Sequence, residues 1–64
     1  MINKKYKDVL ILIAQGKSDK DIAKALSFSN IYIRKIVSKL LKLYNVKNRT
    51  ELAIEYNAEL KGNY

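Results

Sequence analysis

Residues 29–44, SNIYIRKIVSKLLKLY, contain four basic side chains and not one acidic side chain. Their apolar residues recur at the three- and four-residue spacing of a helix. The pattern therefore predicts one amphipathic helix, with one side in a small core and a basic side facing outward. The apolar residues are Ile33, Ile36, Val37, Leu40 and Tyr44, and the basic ones are Arg34, Lys35, Lys39 and Lys42.

The rest of the chain makes this basic segment unusual. The 64 residues have a net charge of +7, and no acid occurs between Asp21 and Glu51. The basic residues of that interval account for the whole net charge, because the remaining acids and bases cancel. A block of one sign inside a folded segment favours a polyanionic partner. A solvated lysine face is the alternative explanation.

Composition also limits the classes of function and of location that we expect for this protein. The chain has no Cys and no His, so it lacks disulfides and the commonest nucleophiles and metal ligands. We expect no enzyme activity, no cofactor and no bound metal. The longest uncharged apolar run, residues 9–14, is far below the roughly 20 residues that span a bilayer. We therefore expect a cytoplasmic protein with no membrane partner.

Capping residues divide the chain into helices. Asn3, Ser18, Ser29 and Asn48 each precede a helical pattern, and Gly16 and Asn45 suit the left-handed position that follows a helix. The run VLILIA also fits a strand, but its spacing with Tyr6 and the Gly16 stop favour a helix. We predict an all-α fold with helices at about 3–15, 18–26, 29–44 and 49–60, and a frayed end at residues 61–64.

The second and third helices are joined by a very short connection. Their caps, Ser18 and Ser29, are eleven residues apart, which is the spacing of a helix-turn-helix. In the fourth helix, a predicted apolar stripe faces the core, while Ile54 and Ala58 point to another side. Two interpretations are open: these two residues cover a partner, or they are ordinary exposed residues. The predicted stripe consists of Leu52, Ala53, Tyr56 and Leu60.

Together these segments resemble a known family. The segments LIAQGKSDKDIA (residues 12–23) and VKNRTELA (residues 46–53), in this order and at this separation, resemble the LuxR/FixJ (GerE-like) helix-turn-helix family. The resemblance covers residues 2–60. It implies a four-helix domain that binds double-stranded DNA, usually as a dimer. It also implies that the third helix enters the major groove and that the fourth helix contributes to the dimer.

The resemblance implies roles for particular residues. The implied base-facing residues are Arg34, Lys35 and Ser38, with Ile31 on the same face. Phosphate contacts are implied around the helix-turn-helix, and Ile54 and Ala58 are implied in or near the dimer contact. The further implied DNA contacts are Lys20, Ser29, Tyr32, Lys39, Lys42, Asn48 and Arg49.

The chain departs from the family pattern at several positions. Tyr6 stands where Glu is frequent, Tyr32 where Thr is common, Ile36 where His is common, and Asn45 where Gly is frequent. Tyr32 matters most, because it lies near the start of the third helix, close to the implied backbone contacts.

We therefore expect a sequence-specific bacterial transcription regulator that binds DNA as a homodimer. Because Met1 stands just before the region of resemblance, we expect residues 1–64 to form a single domain without a receiver or ligand-binding domain. One alternative is a protein-binding module that docks on RNA polymerase, another regulator or a phage target. Another is a basic amphipathic peptide that folds on a membrane surface.

Overall fold

Four helices connected by short turns make up the described part of the chain. The computed structural model describes residues 3–62, and these contain no strand. The all-α class and all four predicted helices are confirmed, with each predicted end within one residue of the observed one. The helices are α1 (Lys4–Ala14), α2 (Asp19–Leu26), α3 (Asn30–Leu43) and α4 (Arg49–Lys61).

The ends of the chain lie partly outside this description. Ile2, where the resemblance begins, and residues 63 and 64 of the expected frayed end are not among the described residues. Lys61, which was also expected to fray, is the last residue of α4. None of the helices within residues 3–62 is long and apolar enough to cross a membrane.

The four helices begin at the predicted caps. In each case the side-chain oxygen of the cap accepts the backbone N–H three residues later, at 2.9–3.1 Å. These bonds satisfy donors that a helix cannot pair internally. At α4, the Glu51 carboxylate also accepts the backbone N–H of Lys47 at 2.9 Å, which fixes the entry of the chain. The caps are Asn3, Ser18, Ser29 and Asn48.

The first three helices end in the same hydrogen-bonded turn, a Schellman motif. Its left-handed residues are Gly16 (φ 84°), Ser27 (φ 60°) and Asn45 (φ 55°). The residue after each one donates its N–H to a carbonyl five positions back, at 2.8–3.0 Å. That residue is Phe28 in the second motif and Val46 in the third, and both side chains pack against the core. The turn between α2 and α3 is thus closed by Ser27, and Phe28 holds it to the core.

The core is formed at the centre of the four helices. α1 packs against both α3 and α4, and α2 packs against α3. Leu60 is a correction to the predicted stripe of α4, since it is 64% exposed. It lies one turn beyond the last buried residue of that stripe, and the described residues leave most of it uncovered. The almost inaccessible side chains are Val9, Leu10, Ile22, Ile33, Ile36, Leu40 and Leu52.

This packing determines how α3 is presented. Ile33, Val37 and Leu40 on its inner side are buried, as predicted. At its C-terminal end, the Tyr44 hydroxyl donates to Glu59 Oε1 on α4 at 3.1 Å, while the Tyr44 ring packs against the core. α3 is therefore held on one side and at its end, and its opposite side faces outward.

Candidate nucleic-acid interface

The outward side of α3 is a row of exposed side chains. Ile31 is 68% exposed, and the Arg34 side chain is 78% exposed. Lys35, Ser38 and Lys42 are exposed as well. The other four residues lie three, four, seven and eleven positions after Ile31, so all five share one helical face. The structure thus brings together the sequence-predicted base-facing residues on the surface opposite the core.

Tyr32 lies beside this face and links it to α1. Its ring meets Phe28 edge-on, with centroids 4.9 Å apart and planes at 72°. Its hydroxyl accepts a hydrogen bond from Lys5 Nζ at 3.2 Å. The same ammonium is 5.8 Å from the ring centroid. The ammonium therefore lies near the hydroxyl end and not over the face, so the contact is a hydrogen bond rather than a cation–π interaction.

Lys5 is a basic residue at this surface that sequence reasoning missed. It is 27 residues from Tyr32 in the chain, and the two meet only because α1 packs against α3. No local pattern in the sequence signals the pairing.

Two predicted contact residues, Ser29 and Asn48, cap helices. Ser29 Oγ and Asn48 Oδ1 act there as acceptors. A serine hydroxyl also carries a donor, and an asparagine amide carries two. Capping is therefore compatible with donation to a phosphate from the same side chains.

Arg49 has internal partners. Its Nη1 donates to Asp19 Oδ1, and its Nη2 donates to the carbonyl of Lys17 at 2.8 Å. These bonds fasten the start of α4 to the connection between α1 and α2. Each terminal nitrogen of a guanidinium carries a second N–H that can still face outward.

Asp19 also lies close to the exposed face of α3. Its Oδ2 is 4.0 Å from Arg34 Nε, which is within ion-pair distance but beyond a hydrogen bond. One carboxylate is therefore shared by two arginines, Arg49 on α4 and Arg34 on α3. Asp19 also lies in the first turn of α2, where the helix dipole favours a negative charge.

Lys39 and Lys42 border a groove on the flank of α3 that faces α1. The groove has a volume of about 380 Å³ and is completed by Tyr6 and Leu43. Leu43 is 62% exposed, so an apolar side chain stands among the basic ones. Lys20, the remaining predicted basic contact, is exposed on α2.

The predicted dimer residues lie on α4, away from the core. Ile54 is 62% exposed, and Ala58 is exposed. Both are confirmed as surface residues, while a role in a dimer stays a prediction.

Comparison with known proteins identifies the family. Residues 3–56 match the GerE model, described as bacterial regulatory proteins of the luxR family. The chain is 42% identical over 59 residues to the uncharacterized transcriptional regulatory protein YhcZ of Bacillus subtilis (strain 168). It is 44% identical over 45 residues to the transcriptional regulatory protein DesR of the same organism.

These matches cover most of this chain but little of the relatives. The two alignments take in 88% and 70% of this chain, and 28% and 23% of YhcZ and DesR, respectively. The chain thus spans about a quarter of the length of the curated relatives it matches. With four capped helices, the helix-turn-helix spacing and a family match over residues 3–56, the chain belongs to the luxR family of bacterial regulatory proteins.

Proposed function

We propose that this chain binds double-stranded DNA as part of a transcription regulator, with α3 in the major groove. The observation that carries the proposal is the exposed face of α3, which is basic, free of acids and backed by a buried apolar side. The major groove of B-DNA is about 12 Å wide and admits a helix. The names of the two relatives as transcriptional regulatory proteins support the same role.

Base recognition would come from the centre of this face. Arg34 or Lys35 can donate to O6 and N7 of guanine, a contact worth about 1–3 kcal/mol of discrimination. Ser38 can donate or accept and is therefore less selective. Ile31, exposed one turn earlier, suits the methyl group of thymine.

Phosphate contacts would come from the borders of the face. Lysine ammonium groups near phosphates release counterions, which gives an affinity that falls with salt and is independent of sequence. The caps Ser29 and Asn48 add donors, and Arg49 adds its remaining N–H groups. The proposed phosphate contacts are Lys20, Ser29, Tyr32, Lys39, Lys42, Asn48 and Arg49.

Dimerisation is the second part of the proposal. We assign the contact to α4, where Ile54 is exposed beside Ala58. Two copies would place two α3 helices on successive turns of DNA, so the preferred site would be an inverted repeat. Ile54→Glu should then weaken cooperative binding to such a repeat while leaving the melting temperature of the isolated chain nearly unchanged. DNA binding would place the protein in the cytoplasm, with RNA polymerase or another regulator as a further partner.

Selection of bound duplexes from a random pool tests the proposal. A recurring site, especially an inverted repeat, is expected. Arg34→Ala should then relax the base preference, while Lys39→Ala should weaken all sequences about equally and lower the salt slope by about one. Equal losses for both variants on selected and random DNA would contradict the base-reading role.

A protein-binding role is the second candidate, and the groove beside α3 is the observation in its favour. Tyr6 and Leu43 place apolar surface there, which a phosphate backbone does not use. Gel shifts at two salt concentrations separate the candidates. Strong binding at low salt that falls steeply at higher salt supports DNA, whereas negligible binding at both favours a protein partner.

A further inference from the structure

Asp19 stands where an acid is least expected in a DNA-binding surface. It belongs to the first turn of α2, yet its Oδ2 lies 4.0 Å from Nε of Arg34, the residue to which we assign guanine recognition. A carboxylate at that place repels any DNA phosphate that comes within the screening length of about 8–10 Å. Its bond to Arg49 explains a structural role, but that bond does not explain why the second oxygen faces Arg34.

The Asp19 carboxylate is held in place by Arg49, on the side away from Arg34. Its Oδ1 accepts from Arg49 Nη1, and Arg49 is itself fixed by the Lys17 carbonyl. The Asp19 side chain is only 28% exposed, in contrast to the 78% of Arg34. Pairing with Arg34 thus costs the acid little side-chain entropy, because its position is already determined.

The geometry of the pair is also favourable for reading a base. Asp19 faces the Nε of Arg34, and the two terminal nitrogens of the guanidinium are not its nearest atoms. Those terminal nitrogens provide parallel donors that match O6 and N7 of guanine. An acid on the Nε side therefore restricts the arginine without competing for the atoms that contact the base.

We propose that Asp19 is a positioning residue that orients Arg34 for guanine and so raises discrimination between the preferred site and other DNA. An oriented Arg34 raises the affinity for the preferred site, whereas the negative charge of Asp19 lowers the affinity for every duplex through repulsion of phosphates. Both effects increase specificity, because only contact with the correct base offsets the repulsion. This inference rests on the proposed DNA-binding function.

Asp19→Asn tests the proposal, with Asp21→Asn as the matched control. Both variants remove one acid from the first turn of α2, but of the two only Asp19 is paired with an arginine in residues 3–62. Each change is made in the wild-type chain and in the Arg34→Ala background. Dissociation constants are measured for the selected site and for a random duplex of equal length, at one salt concentration.

For Asp19→Asn, the ratio of the two affinities should fall about two- to fivefold, the effect of an exposed ion pair of ordinary strength. Asp21→Asn should leave the ratio unchanged, and Asp19→Asn should have no effect on it when Arg34 is absent. A merely structural role would lower the melting temperature but not produce this dependence on Arg34. Equal ratios for the two single variants, or the same fall without Arg34, would overturn the proposal.

Two further results separate this inference from its foundation. If the wild-type chain shows no salt-dependent binding to any duplex, the proposed function fails. If it binds selectively and Asp19→Asn leaves selectivity intact, only the role of Asp19 fails. Should Asp19→Asn not fold, nuclear magnetic relaxation of the Arg34 Nε–H in the free wild-type protein decides, because an oriented guanidinium is restricted in its motion. A higher order parameter than in an unstructured arginine peptide is expected, and an equal value would overturn the proposal.

Discussion

Arg49, at the start of α4, donates to the carboxylate of Asp19, at the start of α2, across 30 positions of sequence. The same guanidinium donates to the carbonyl of Lys17 at 2.8 Å. The fourth helix is thereby tied to the first half of the helix-turn-helix by charge-assisted bonds. Replacement of Arg49 should therefore affect folding as well as any DNA contact.

Arg49→Ala should lower the free energy of unfolding by about 1–2 kcal/mol, because it leaves a half-buried carboxylate and a carbonyl without their donor. Urea unfolding followed by circular dichroism measures the change. Arg34→Ala is the control, since Arg34 shares the same carboxylate from an exposed position and should cost less than about 0.5 kcal/mol. Similar losses for the two variants would contradict the structural role of Arg49.

Two leucines on α3 test the assignment of its inner side. Leu40 is fully buried, whereas Leu43 is 62% exposed. Leu40→Ala should cost about 2–5 kcal/mol, enough to unfold much of so small a domain. Leu43→Ala should stay within about 0.5 kcal/mol of the wild-type chain. Thermal melts of both variants measure these losses of stability. A large loss for Leu43→Ala would show that the side of α3 that carries Leu43 is covered.

Gly16 tests the turn that ends α1. Its φ of 84° lies in the left-handed region, and a Cβ there would meet no atom within 4 Å outside Gly16 and its two chain neighbours. Gly16→Ala should destabilise by about 1 kcal/mol through backbone strain alone. Gly16→Asn should cost less, because asparagine tolerates this conformation, as Asn45 does after α3. Equal melting temperatures for the wild type and both variants would be evidence against the strain argument.

Tyr44 links stability to alkaline pH. Partial burial, the hydrogen bond to Glu59 and the charge of that carboxylate raise the pKa of Tyr44 from 10.0 to about 12. Below pH 10 the hydroxyl is protonated in both folded and unfolded chains, so its contribution is fully present. Between pH 10 and 12 the unfolded chain loses the proton first, and that contribution is lost.

Comparison with Tyr44→Phe isolates this effect, because the two proteins differ only in that hydroxyl group. At about pH 9 the wild-type chain should be more stable by about 0.5–1.5 kcal/mol, the ordinary value of a hydrogen bond. At about pH 11.5 the difference should have narrowed, because the variant has no hydroxyl to ionise. Urea unfolding at the two pH values provides the measurement, and a constant difference would argue against the raised pKa.

The candidate interface was only partly predictable from the chain. The exposed face of α3 follows from helical periodicity, because Arg34, Lys35 and Ser38 alternate with residues that are strongly apolar. The internal bonds of Arg49 and the closeness of Lys5 to Tyr32 were not predictable. Each joins residues at least 27 positions apart, and no short-range pattern encodes such a meeting.

The sequence by itself determined the four helices and the turns between them. Caps such as Ser18 and stops such as Gly16 act on backbone groups a few residues away, so their effect is visible in the order of residues. The tertiary structure alone decided that Leu60 lies beyond the core and that Asp19 is shared between two arginines. Those outcomes depend on how helices that are distant in the chain pack against one another. Packing decides which charges are paired and which apolar side chains are covered, and local spacing does not specify either.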